Sequence, residues 1–203
     1  MTTLSARKKA AIIDAAIDLF QKNGFQGTSM DAIAQLAQVS KRTVYNHFPS
    51  KQALFEHIAH TVWQTANQAS KACFKLEEDL EPQLMALALQ ELALVGDESF
   101  LRLSRVLMAE FIHEPAMAQA ILERFSQEES SLTQWMQQAK LHERLNIADA
   151  EQAGALFYSL IKAQAFWPQI MFGQATIPTS QHQTFARQVC TMFLAVYGKT
   201  EAL

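Results

Sequence analysis

Residues 41–47 read Lys-Arg-Thr-Val-Tyr-Asn-His and carry hydrogen-bond donors of several geometries on consecutive positions. A guanidinium such as that of Arg42 can fork onto guanine and a carboxamide such as that of Asn46 onto adenine, whereas Lys41, Tyr45 and Lys51 suit phosphate oxygens. If the segment is a helix, Val44 and Phe48 lie four apart and point inward with Ile33 and Leu36, which leaves Thr43 and His47 to complete a polar outer face. Thr28-Ser29 stands where another helix would begin, and the free N–H groups of such a start also attract phosphate. A polar helix on an all-α surface would look similar, so spacing has to decide.

Other chemistries lack their residues. His142-Glu143 and His113-Glu114 miss the second histidine of a zinc-hydrolase helix, and there is no Gly-rich phosphate loop or nucleophile elbow. Cys73 and Cys190 are too few for a disulfide framework or a structural zinc site, and apolar helical surroundings would leave both thiols inert. No enzyme, cofactor or metal is expected.

The elements that must position residues 41–47 follow from composition and periodicity. Of 203 residues, 49% are hydrophobic and only six are Gly and five Pro, which favours long helices and an all-α fold. Ile13, Ala16, Ile17 and Phe20 mark a helix over 6–22 that ends at Asn23-Gly24. Thr28 then serves as N-cap with Asp31 three residues on, opening a short helix to about Val39; Ser40 caps a second over 41–47. A fourth helix spans 50–74. The remaining expectations are helices over 82–95, 98–112, 115–140 with a kink near Ser126, 149–172 and 180–197, about nine in all and no strand.

Charge divides along the chain. Residues 1–60 carry seven Lys/Arg against four Asp/Glu, while the net charge of the whole is −3, so a basic first part precedes a more acidic remainder. That asymmetry suggests a polyanion partner for the first part. Asp14 and Asp18 break the N-terminal apolar stretch, and Lys162, Gln164, Pro168 and Gln169 break the run 155–173. A soluble cytoplasmic protein with no membrane partner is expected.

Two helices of about seven residues separated by Gln38-Val39-Ser40 have helix-turn-helix spacing. The segment Gly24-Phe25, Thr28 to Ala34 and Val39 to Lys51 resembles the DNA-binding signature of the TetR family. That resemblance covers the first quarter of the chain. It implies an N-terminal three-helix DNA-binding domain (1–49), a linker helix (50–74) and a C-terminal helical domain (50–203) that binds an effector and pairs through its last two helices. Gln38 departs from the pattern where relatives often have Gly, so a left-handed residue there would cost up to about 1 kcal/mol unless the turn differs. Arg42 is bulky where many relatives are small, so its base preference cannot be borrowed.

The stretch Ala109-Glu110-Phe111 and the helix after it are similar to AcrR/AefR-type regulators. On that reading the partners are double-stranded DNA bearing a palindromic operator, a second copy of the chain, and a small hydrophobic or aromatic effector. Trp63, Met85, Met108, Phe111, Trp135, Phe166 and Trp167 are the candidate effector contacts, with His113, Gln138 and Gln164 to orient it. For each, the alternative is a place in the core. Leu156, Leu160, Phe185, Val189 and Phe193 are expected in a four-helix bundle between two copies.

Overall fold

The computed structural model describes residues 3–69, 73–125 and 130–199, and within them the chain forms eleven α-helices and no strand. The excess over nine arises because two expected helices each divide in two. Packing separates two compact units, and the division does not fall at residue 49: Met1–Gln64 groups with Arg102–Gln127, and Thr65–Leu101 with Glu128–Leu203.

The first unit opens with α1 (Leu4–Asn23), which begins earlier than its apolar repeat because the Thr3 hydroxyl accepts the Ala6 N–H at 3.2 Å. Short helices α2 (Met30–Leu36) and α3 (Lys41–His47) follow. Ser50 then caps α4 (Lys51–Ala69), accepting the Ala53 N–H at 3.0 Å. The helix expected to continue to Phe74 has ended by then, since Cys73 and Phe74 are not helical; residues 70–72 lie outside the described ones. Residues from Arg102 of α6 (Glu98–His113) and α7 (Pro115–Phe125) complete the unit. Its core joins Ile12, Phe20, Ile33, Val44, Phe48, Phe55, Ile58, Val106, Leu107 and Ile121. Phe20, Phe25 and Phe55 pack with ring centroids 5.2 to 6.1 Å apart. Arg102 pairs with Asp18, and Gln21 donates to the Arg102 carbonyl at 3.3 Å, fastening α6 to α1.

The second unit holds α5 (Leu80–Val95), α8 (Ser131–Leu141), α9 (Ala150–Ala165), α10 (Trp167–Phe172) and α11 (Thr179–Tyr197). Pro82 lies inside the first turn of α5, where a missing N–H leaves no bond unmade. The single helix expected over 115–140 is α7 and α8, the latter capped by Ser130, which accepts the Thr133 N–H at 3.1 Å. The expected kink at Ser126 lies outside the described residues. The helix expected over 149–172 breaks at Phe166, whose φ and ψ of −128° and −58° leave the helical region. Pro168 is the cause, because it lacks the N–H a continuous helix would donate and its ring crowds the preceding turn. Helix α5 packs on α9 and α11, and α8 and α10 pack on α9. Gly154 admits the close approach of α8: a Cβ there would stand 3.2 Å from Leu132. Phe157 and Phe193 meet edge to face at 5.2 Å, both buried. Among the described residues no helix is long and apolar enough to cross a membrane.

Candidate nucleic-acid interface

Helix α3 is fixed from three sides. The Ser40 hydroxyl accepts the Thr43 N–H at 3.1 Å and bonds the Thr43 hydroxyl at 2.8 Å, which sets the first turn. Val44 and Phe48 are buried in the core of the unit, and the Phe48 N–H closes the last turn onto the Val44 carbonyl at 2.8 Å. Lys41, Arg42, Tyr45 and Asn46 are consequently exposed, with Thr43 and His47 half-buried beside them. The polar inventory and the apolar anchors fall on opposite sides, as the spacing implied. Leu36 does not join the anchors; it is 49% exposed, because α2 turns Ile33 and Ala34 inward in its place.

The turn joining α2 to α3 is a Schellman arrangement. The Val39 N–H reaches the Ala34 carbonyl at 3.1 Å and the Gln38 N–H the Gln35 carbonyl at 3.2 Å, with Gln38 at φ 54°. The left-handed residue anticipated from the absent glycine is therefore present. Lys41 Nζ lies 2.5 Å from Asp31 Oδ2, but both side chains are more than half exposed, so the pair is worth about 0 to 1 kcal/mol and a phosphate can replace the carboxylate.

Two expected contacts have different surroundings. Thr28 is not the N-cap of α2 and does not face solvent; Ser29 caps, accepting the Ala32 N–H at 3.1 Å and remaining exposed. Thr28 is buried, its hydroxyl directed at the carbonyls of Gly24 at 2.8 Å and Leu19 at 3.1 Å, so it ties the end of α1 to α2 and offers no donor to a phosphate. Lys51 has a structural task that its charge alone did not reveal. Its ammonium donates to the carbonyls of Phe25 at 2.5 Å and Thr28 at 2.8 Å, makes a longer contact with Gln26 at 3.3 Å, and lies 4.5 Å from the centre of the Phe25 ring. Phosphate could claim only the weakest of these bonds.

Behind α3, His57 packs 5.4 Å from Phe48, and Lys9 Nζ lies 5.6 Å from the same ring. Burial holds the His57 imidazole below its ordinary value, reinforced by the charges of Lys9 and His60. Among the described residues no group of three or more His, Cys, Asp or Glu could hold a metal.

The expected effector contacts divide between the units. Trp63, Met108 and Phe111 belong to the first, where Phe111 meets Phe55 edge to face at 6.3 Å and Trp63 stacks on Phe125 at 5.9 Å. Met85, Trp135, Phe166 and Trp167 belong to the second. Trp135 is 1% exposed with its indole N–H unpartnered, Phe166 is buried, Met85 half-buried and Trp167 exposed. Gln169, also buried, keeps its side-chain oxygen without a hydrogen bond, a signal no periodicity could give, whereas the buried carboxylate of Glu91 pairs with Lys162 Nζ at 3.3 Å. Cys190 is fully buried and its thiol is pushed up to about 12, chiefly by burial. Cys73, by contrast, is exposed and lies outside any helix, so its expected apolar helical setting is not found.

Residues 12–58 match the bacterial regulatory proteins of the tetR family, and residues 82–199 match the C-terminal domain of AefR-like transcriptional repressors. A TetR family transcriptional regulator from Pseudomonas syringae pv. tomato is 35% identical in sequence and superposes with a TM-score of 0.86, covering 98% of this chain and 100% of that one. The flavonoid-responsive regulator FrrA is 28% identical, with a TM-score of 0.73 over 97% of this chain and 99% of its own. The transcriptional regulator RutR of Escherichia coli strain K12 is 52% identical over 52 residues, which is 26% of this chain and 24% of RutR. The chain spans well under half the length of the curated relatives it matches. It belongs to the TetR family of DNA-binding transcriptional regulators, which are not enzymes.

Proposed function

We propose that the protein is a homodimeric cytoplasmic repressor that sits on a palindromic operator and leaves it when a small apolar or aromatic effector binds. The observation that carries the reading is α3 itself: Arg42, Tyr45 and Asn46 face outward from a helix locked by Ser40, Val44 and Phe48. Arg42 and Asn46 are assigned to base edges, and Lys41, Tyr45 and Ser29 to the phosphates on either side.

Pairing of two chains is supported by the outer face of α9 and α11. Leu156, Met192 and Val196 are 44%, 51% and 69% exposed, and an open groove of about 810 Å³ runs beside Thr184, Gln188 and Met192. Val189 and Phe193, first assigned to that interface, are buried within the chain, so the interface falls to the outward residues and to half-buried Leu160 and Phe185. One recognition helix reads too few base pairs alone, and two related by a two-fold axis suit a palindrome.

The effector is assigned to the second unit, among Met85, Trp135 and Phe166. Unpartnered buried atoms of Trp135 and Gln169 favour a molecule with an aromatic body and both an acceptor for the indole N–H and a donor for the amide oxygen, and a flavonoid-responsive relative is consistent with that class. A 100-fold release needs about 2.7 kcal/mol of preference for the state that does not bind DNA. The test has two arms. Met192→Glu with Val196→Glu should give a 22.8 kDa species in sedimentation and weaken operator binding; an unaltered dimer refutes the interface. A thermal-shift screen of aromatic compounds followed by operator-release assays should find hits that also release DNA; hits that stabilise the protein and leave every operator complex intact refute the regulation.

A further inference from the structure

Two described residues other than glycine have a positive φ, Gln38 at 54° and Glu143 at 52°. Both follow a helix C-terminus, where glycine carries no steric penalty and glutamine does. The Glu143 carboxylate has a partner, the ammonium of Lys199 at 3.0 Å. The Gln38 side chain has no hydrogen bond among the described residues; it is exposed, two residues ahead of the Ser40 cap and four ahead of Arg42. No hydrogen bond among the described residues rewards a carboxamide at a position where it strains the backbone, and such strain persists at sites of function more than elsewhere.

We propose that Gln38 is a further DNA contact, its carboxamide N–H donating to a phosphate oxygen next to the bases that α3 reads. The proposal rests on the reading of α3 as the recognition helix. It is exposed in the turn that leads directly into the helix assigned to DNA, two residues before that helix's cap, and its neutral amide adds a hydrogen bond without displacing a counterion. Removing it should therefore lower affinity by a constant factor at every salt concentration, unlike the loss of a lysine, which also flattens the salt dependence.

The experiment is an operator titration at three ionic strengths with Gln38→Gly, Gln38→Met and, as control, Arg42→Ala with Asn46→Ala. Gln38→Gly relieves the strain and raises the thermal midpoint, whereas Gln38→Met keeps the length of the side chain and the strain but has no amide. Both are expected to bind about 5-fold more weakly per protomer, about 25-fold for a dimer, with an unchanged salt slope. Wild-type affinity in both Gln38 variants, with the control weakened, overturns the Gln38 contact alone. Loss in Gln38→Gly but not Gln38→Met shows that stiffness of the turn is what matters and overturns it as well. Undiminished affinity in the control overturns the recognition-helix reading and this inference with it.

Discussion

Replacing Lys51 by Met should unfold the DNA-binding unit more readily, in contrast to the small effect of deleting an ordinary surface lysine. The ammonium donates to three carbonyls, those of Phe25, Gln26 and Thr28, in the segment between α1 and α2, where among the described residues the Phe25 carbonyl otherwise accepts only the long 3.3 Å bond from the Thr28 N–H. Bonds from a charged donor are worth about 1.5 to 3 kcal/mol each when buried, but Lys51 is only half-buried and water can reach part of the site, so the lower end applies to the two short ones. The cation over the Phe25 ring adds about 0.5 kcal/mol. A net loss of about 2 to 3 kcal/mol follows, because water recovers part of each bond, and a thermal midpoint lower by about 5 to 10 °C is expected. Surface substitutions without such partners stay within about 0.5 kcal/mol. Thermal and urea unfolding of the wild type and Lys51→Met, monitored by circular dichroism, measure the difference. A midpoint within about 1 °C of wild type would show that Lys51 is a free surface cation and that its bonds to the turn contribute nothing.

Thr28→Val keeps shape but removes the hydroxyl that bonds the Leu19 and Gly24 carbonyls, so urea unfolding should show a loss of about 1 kcal/mol; an unchanged midpoint with weakened operator binding would restore Thr28 to the DNA face. His57 is held below its ordinary value of 6.5, so as the pH falls through that value the unfolded chain takes the proton first, and stability declines until folded His57 itself titrates. Urea midpoints measured from about pH 8 to pH 5 should fall, and His57→Gln should remove part of that fall; an identical decline in the variant would assign it to other groups. A thiol reagent should label Cys73 in the native protein and Cys190 only after unfolding, and rapid native labelling of Cys190 would contradict its burial.

The recognition segment was legible because its signals are local. Ser40 one residue ahead of Lys41, and Val44 and Phe48 four apart, specify the start, the face and the end of α3 whatever the rest of the chain does. Even the strained Gln38 could be anticipated from a missing glycine. The surroundings of Thr28 and Lys51 are not legible in the same way, because the partners that define them are carbonyls up to 26 residues away, and a polar side chain does not announce whether it will meet water, phosphate or its own backbone. Leu36, the last residue of α2 and three after Ile33, reads as buried by its spacing because a helical repeat does not say how wide the covering neighbour is. The break at Phe166 was legible in Pro168, but the apolar run on both sides of it dominated the periodicity. The effector contacts remained obscure, since an aromatic side chain in a core and one in a pocket have the same sequence signature, and the buried indole N–H groups of Trp63 and Trp135 both lack a hydrogen-bond partner among the described residues.

The central claim, that α3 reads DNA through Arg42 and Asn46, is tested most directly by a binding titration of Arg42→Ala with Asn46→Ala against an operator selected from random duplexes. Each side chain should account for about 1 to 3 kcal/mol of base discrimination. The double variant should therefore bind the operator about 100-fold or more weakly and barely prefer it over unrelated DNA, while its thermal midpoint stays at the wild-type value because both side chains are exposed. Wild-type operator affinity and selectivity in a folded double variant would contradict the account.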